Sequence, residues 1–216
     1  MHTIGETTTA RGIALALSSR FGVGGVAFRT DSQVGRFVDT VAFGAYRREV
    51  FEQIGHFDEE MIRNQDDEFN FRLTQAGGRI WLDPAIRSTY YSRTSLRRLW
   101  RQYFEYGLYK VRLIQKRGAV PSWRHLVPAS FVLALISSFV LGLTLGNPTL
   151  QWSVLLPYFF ANAAASIWTA RSDWNTLAFL PISFFVLHAA YGIGFLYGLW
   201  RWRVYFLHEP TPAKVI

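Results

Sequence analysis

Arg63-Asn64-Gln65-Asp66-Asp67-Glu68-Phe69-Asn70-Phe71-Arg72-Leu73 is the stretch on which the reading of this chain turns. It places three consecutive carboxylates at the start of a helical pattern. Phe69 and Leu73 stand four apart and share a face that must be buried, while Glu68 and Arg72 stand in the favourable order for an ion pair. Asn64 or Asp66 suits the N-cap, and Gly77-Gly78 stops the helix after Ala76. One carboxylate in a cleft can take a proton from a hydroxyl, and a neighbouring carboxylate raises its pKa towards the useful range. The triplet can also hold a divalent cation, or simply complement a helix N-terminus.

Outward from this stretch the chain is mixed α/β. Before it, residues 11–17 form a short helix, and Phe21-Gly22-Val23-Gly24-Gly25-Val26 is a glycine-rich turn without the spacing of a dinucleotide fingerprint. Asp39-Thr40-Val41-Ala42-Phe43-Gly44-Ala45-Tyr46 reads as a buried strand. Residues 47–54 read as a short helix with Val50, Phe51 and Ile54 on one face, ended by Gly55, and Phe57 plugs the turn that follows. After it, residues 79–82 form a strand closed by Asp83-Pro84, and residues 86–91 are extended.

A long amphipathic helix starts at Ser95. Leu96, Trp100, Tyr103, Phe104, Gly107, Val111 and Ile114 share one side, and Arg97, Arg98, Arg101, Glu105, Arg112 and Lys116 the other. Between Arg93 and Arg124 lie nine basic residues against Glu105 alone, a net charge equal to the whole-chain excess of +8. Nucleic acid is one partner for such basicity. The band abuts long apolar segments, so anionic headgroups and a helix in the membrane interface are the expectation, and nucleic acid is not.

Residues 126–145, 150–170 and 176–200 are each long and apolar enough to span a bilayer core of ~30 Å. Pro157 and Pro181 kink two of them, and Trp123, Trp152, Trp174, Trp200, Trp202 and Tyr205 form an aromatic belt near their ends. The basic neck puts the soluble part in the cytoplasm. Three spans then leave Arg201, Arg203 and Lys214 on the disfavoured side, so the side of the carboxyl terminus stays open and one segment is a candidate for re-entry. His188 is either a functional polar group or hydrogen-bonded between helices. The absence of cysteine excludes disulfides, thiol nucleophiles and cysteine metal sites. Residues 1–7 lack the basic start and apolar core of a signal peptide.

Gly55-His56-Phe57-Asp58-Glu59, then Gln65-Asp66-Asp67-Glu68-Phe69 with Arg72, then Ala76-Gly77-Gly78-Arg79-Ile80, together resemble the acceptor half of family-two glycosyltransferases. The order is most similar to membrane-bound exopolysaccharide enzymes of the succinoglycan-biosynthesis type. Ser95-Leu96-Arg97 through Arg101-Gln102-Tyr103-Phe104-Glu105-Tyr106-Gly107, followed by apolar spans, extends the likeness. The resemblance implies a GT-A fold and an inverting transfer from a nucleotide sugar to a lipid-linked or polysaccharide acceptor. It assigns Asp66 as the base that deprotonates the acceptor hydroxyl. Asp67, Glu68, Arg72, Arg101 and Gln102 become substrate-binding candidates, the last two from a loose match to a Gln/Arg/Trp motif. Gln65 stands where the family usually has Glu, and His56 where it usually has a small residue.

The family's nucleotide-binding half, with its Asp-x-Asp, has no counterpart before residue 40; Asp31-Ser32 and Asp58-Glu59 do not substitute. The expectation is therefore a carboxyl-terminal portion, inactive alone. It holds no cofactor or metal itself, and Mg or Mn goes with the nucleotide-binding half. Residues 1–92 are a partial GT-A domain, 93–125 a basic interfacial neck, 126–203 transmembrane helices and 204–216 a tail. The whole sits in the inner membrane as a multi-pass protein, with membrane lipids, a lipid-linked saccharide and, through the missing half, a nucleotide sugar as partners. The rival readings are a non-catalytic membrane subunit or remnant of a split transferase, and a basic membrane adaptor.

Overall fold

Helix α6 (Leu96–Arg117) runs through the middle of the fold, with the polar elements on one side and the apolar helices on the other. The computed structural model describes residues 1–30, 34–118, 120 and 122–203; the expected tail over 204–216, with Tyr205 and Lys214, and the Asp31-Ser32 pair lie outside them. The elements preceding α6 are β1 (His2–Ile4), α1 (Thr8–Ser18), α2 (Arg20–Val23), α3 (Ala27–Thr30), β2 (Arg36–Val38), α4 (Arg48–Ile54), α5 (Gln65–Gln75), β3 (Ile80–Leu82) and β4 (Thr89–Tyr91). After it come α7 (Val127–Thr144), α8 (Thr149–Ala170) and α9 (Leu180–Arg201).

The fold is mostly helical, and its described strands form two small pairs. β1 pairs parallel with β4, and β2 antiparallel with β3, where Phe37 opposes Trp81 with ring centres 4.9 Å apart. The strand expected over residues 39–46 does not form. The Asn70 amide binds the Thr40 hydroxyl and the Val41 carbonyl, each at 3.0 Å, in place of a neighbouring strand. Phe43 then turns into the left-handed region at φ 56°, which no strand continues through. Tyr46 nevertheless reaches the core, joining Phe51, Phe57 and Phe69 in an aromatic cluster. Around it, α4 and α5 follow the expected pattern, with Gly55 ending α4.

Ser95 caps α6, its hydroxyl accepting the Arg98 N–H, and Gly118 ends the helix. The apolar face of α6 is covered by α9. Two glycines set the closeness of this contact: a Cβ on Gly107 would lie 2.1 Å from the Tyr191 carbonyl oxygen, and one on Gly194 2.1 Å from that of Phe104. At the other end Leu99 is fully buried with Ile13 and Leu17 of α1, Ala170 of α8, and Leu180, Phe184 and Leu187 of α9. The amino-terminal helix is thus part of the same core as the last three helices. Full burial of one such side chain is worth about 1.5–3 kcal/mol, against about 0–1 kcal/mol for an exposed ion pair. The apolar seam, more than surface charge, holds α6 in place.

By length and composition Trp123–Thr144 and Leu180–Arg201 are apolar enough to cross a membrane. α8 is as long as α9 and uncharged, but less apolar because of Gln151, Pro157 and Asn162. His188 is tied between helices: its Nδ1 lies 3.0 Å from the Tyr158 hydroxyl and its Nε2 2.9 Å from the Phe21 carbonyl. These contacts match the expected hydrogen bonding between helices.

Gly194→Val forces a branched side chain into the Phe104 backbone. We expect a loss of about 3 kcal/mol, read as a lower midpoint of thermal unfolding in detergent. Gly146→Val, at a turn where a Cβ meets no neighbour but the φ of +63° is strained, should cost less.

Candidate active site

The acidic segment is assembled where the first turn of α5 meets the middle of α6. Asn64, at φ 61°, turns the chain into α5 without capping it; its amide donates instead to the Tyr106 carbonyl at 3.3 Å. Beside it the Arg63 guanidinium lies 2.7 Å from Glu105, which also accepts Arg101 Nε at 3.0 Å. These bonds fix the height of the carboxylates along α6.

The three carboxylates then part ways. Asp67 is caught between two cations of α6: Lys110 Nζ is 2.5 Å from its Oδ2, and Arg117 is 3.1 Å from its Oδ1, both cations being 7% exposed. Arg117 also donates to the Asp67 carbonyl and stacks over the Phe71 ring. Burial works against the charge of Asp67, but Lys110 and Arg117 outweigh it and lower the carboxyl to about 2. Glu68 is buried and takes a bidentate contact from Arg72 at 2.7 and 2.9 Å. Arg72 also donates to the carbonyls of Ile54 and His56, closing the end of α4 onto α5. The surface ion pair expected from the spacing is present, but Glu68 is buried and Arg72 only a quarter exposed.

Asp66 has no ion pair among the described residues. It is half-buried, and its Oδ1 accepts the Asp67 N–H at 3.0 Å. Burial raises its pKa; that N–H pulls the other way, and the adjacent Asp67 carboxylate adds to the rise. One turn further along α5 from Asp66 lies Asn70, fully buried, whose Oδ1 accepts the Tyr46 hydroxyl at 2.7 Å. Burial and then the field of Asp66 raise the phenol pKa, keeping Tyr46 neutral. One carboxylate thus has a raised proton affinity, next to two whose charges are balanced by cations.

Of the other candidates, Arg101 is 84% exposed and engaged with Glu105. Gln102 is buried and its amide is fully used: it donates to the hydroxyls of Tyr90 (3.0 Å) and Tyr106 (2.9 Å) and accepts Arg93 Nε (3.0 Å). Gln102 stands eight residues before Lys110, about 12 Å along the helix, so it braces the β4–α6 junction and lies apart from Asp66. Among the described residues no three His, Asp or Glu side chains gather into a metal-binding group. With Asp67 and Glu68 neutralised by cations, the divalent-cation reading of the triplet does not fit. Two hollows, one of about 210 Å³ beside Gly5, Ala10 and Ser92 and one of about 610 Å³ beside Ser19, Phe21 and Trp168, lie away from Asp66.

Tyr46, Asn70, Lys110 and Arg117 were not among the candidates. A signal existed for the last pair: seven apart on a helix, they share a face two turns long. Their acid could not be named from spacing alone.

The chain is 30% identical over 207 residues to succinoglycan biosynthesis protein ExoA of Rhizobium meliloti (strain 1021), covering 93% of this chain and 58% of that protein. It is also 30% identical over 167 residues to a dolichyl N-acetyl-alpha-D-glucosaminyl phosphate 3-beta-D-2,3-diacetamido-2,3-dideoxy-beta-D-glucuronosyltransferase of Methanococcus voltae, covering 76% of this chain and 48% of that enzyme. The chain spans about half the length of these curated relatives. No protein-family model matches it, and no solved structure is significantly similar to it. The likenesses support a relationship to glycosyltransferases, and with the two apolar helices they suggest membrane association.

The carboxylates should separate on mutation. Asp67→Asn leaves Lys110 and Arg117 buried without their acid and should cost about 3–5 kcal/mol of stability. The folded pKa of Asp67 is depressed, so its contribution is present above the ordinary carboxylate range and is lost as pH falls towards about 2. Asp66 has the opposite sign. Its folded pKa is raised, so its ionised form weakens the fold, and Asp66→Asn should gain on the parent protein as pH rises through the carboxylate range. Thermal unfolding from pH 3 to 8 checks both.

Proposed function

We propose that this chain is the acceptor-side and membrane-anchoring part of an inverting glycosyltransferase of GT-A type, working in exopolysaccharide or glycoconjugate synthesis. The observation that carries the proposal is the isolation of Asp66: it is the one acid of the triplet whose proton affinity is raised while its neighbours are locked to cations. In the reaction the Asp66 carboxylate takes the proton of the acceptor hydroxyl as that oxygen bonds to the anomeric carbon. The bond from that carbon to the nucleotide diphosphate breaks on the opposite face, and the configuration inverts. Tyr46, kept neutral by burial and the field of Asp66 and bonded to Asn70, forms one wall of the site. The donor nucleotide, with Mg or Mn, would be held by the nucleotide-binding half expected from the family resemblance.

A lipid-linked saccharide is the favoured acceptor class. The Methanococcus relative is named for a dolichyl-phosphate-linked sugar substrate, and the apolar helices carry the site beside the bilayer. The soluble part faces the cytoplasm of the inner membrane, on the side of the basic neck.

The test uses the complete enzyme in membranes. Asp66→Asn should lower sugar transfer ~10²–10⁴-fold while the protein remains folded, and the transfer rate of the parent enzyme should rise with pH through a value above the ordinary carboxylate range. Near-normal turnover of Asp66→Asn would remove Asp66 as the base.

A further inference from the structure

α6 and α9 lie parallel and side by side for their whole length. Leu99 shares a cluster with Leu180 and Phe184, Gly107 meets the backbone of Tyr191 and Phe195, Val111 meets Gly198, and Gln115 Nε2 donates to the Trp202 carbonyl at 2.8 Å. Whatever orientation α9 takes to a bilayer, α6 shares it. The other face of α6 carries Arg112 and Lys116 paired with Asp58 and Glu60, and Lys110 and Arg117 paired with Asp67. A helix so loaded does not enter hydrocarbon, where charge is costly. Neither, therefore, does the helix fixed along it.

The α7–α8 hairpin is oriented differently, because α9 passes across its base. The Pro181 carbonyl accepts Asn162 of α8 at 3.0 Å, and further along α9 Gly192 abuts Pro128 and Val132 of α7, and Phe195 packs with Ala129. Asn162 and Val132 are each about fifteen residues from the connecting turn, so α9 crosses the hairpin at one height. At about 1.5 Å per residue the hairpin then projects roughly 20 Å beyond α9. The projecting part carries Leu133, Ile136, Phe139, Leu143, Leu145 and Trp152, each more than half exposed, and residues 126–170 contain no Asp, Glu, Lys or Arg. α9 keeps one exposed apolar stripe: Ile182, Phe185, Ile193, Tyr197 and Trp200.

We infer that the α7–α8 hairpin alone enters the bilayer, and that α9 lies along the membrane surface beneath α6 with this stripe against lipid. The occupant of the stripe is the bilayer because the stripe adjoins the hairpin that enters it: Phe185 meets Tyr158 of α8, ring centres 6.3 Å apart. Arg201 and Arg203, at the end of α9, then stay on the side of the basic neck, and the charge conflict of a three-span chain disappears. The apolar composition of α9 has a different origin from that of α7: 56% of its most apolar window is buried against protein, compared with 22% for α7. The inference does not depend on the sugar chemistry.

These 216 residues hold no cysteine, and the test uses the complete membrane-embedded protein with any cysteine elsewhere in it replaced by serine. Arg203→Cys and Arg97→Cys are treated separately with a membrane-impermeant maleimide in right-side-out and inverted vesicles, with Glu52→Cys on the exposed face of α4 marking the soluble side. All three should label in the same vesicle orientation; labelling of Arg203→Cys in the opposite one overturns the inference. Spin labels at Ile193→Cys and Ile136→Cys give an independent reading of depth. Ile193 should report a shallow interfacial position and Ile136 a deeper one, and a mid-bilayer depth at Ile193 would overturn the inference as well.

Discussion

The close approach of α6 and α9 is the constraint on which the other elements depend. Two glycines allow it, one on each helix, each set against the backbone of the partner where no larger residue fits. Once α6 is fixed by its apolar face, its charged face has one direction in which to point, and the segment from Asp58 to Asp67 is acidic enough to meet it. The candidate site is therefore positioned by a helix that contributes no reacting group to it. α6 supplies the two cations that take Asp67 out of play.

That arrangement changes what the net charge means. A chain whose excess of +8 lies between Arg93 and Arg124, most of it on α6, looks like a surface for anionic lipid. Arg112, Lys116, Lys110 and Arg117 are instead held by Asp58, Glu60 and Asp67. The hydrogen bond from Arg112, ahead of every other influence, holds Glu60 at about 2, so this part of the clamp stays charged through the physiological range. Arg97 and Arg98, near the start of α6, remain exposed for headgroups. Charge in the neck thus divides between an internal clamp and a smaller outward patch, and a residue count cannot tell the two apart.

Local signals were legible where a short-range rule decides. Ser95 and Gly118 bound α6, Gly55 ends α4, and the Glu68–Arg72 pair follows from its spacing. Asp66 could be singled out from the triplet by resemblance, but the physical reason it differs from Asp67 lies on α6, more than forty residues away. The failure at residues 39–46 has the same cause in reverse. Their apolar run reads as a buried strand, yet the partner that satisfies Thr40 and Val41 is the side chain of Asn70, which no sequence pattern registers. Composition also marks α7 and α9 alike as spans, although α7 is mostly exposed and α9 mostly buried against protein.

With α9 lying on the bilayer as inferred above, the position of Asp66 relative to it follows from these contacts. Asp67 is bonded to α6, α6 lies on α9, and α9 lies across the base of the hairpin. Each link is short and buried, so the carboxylate stands about two helix layers above the apolar surface. Adjacent packed helices are separated by about 8–10 Å. The contacts that make α6 unsuitable for entering the bilayer are also what fix the place of Asp66 relative to α9.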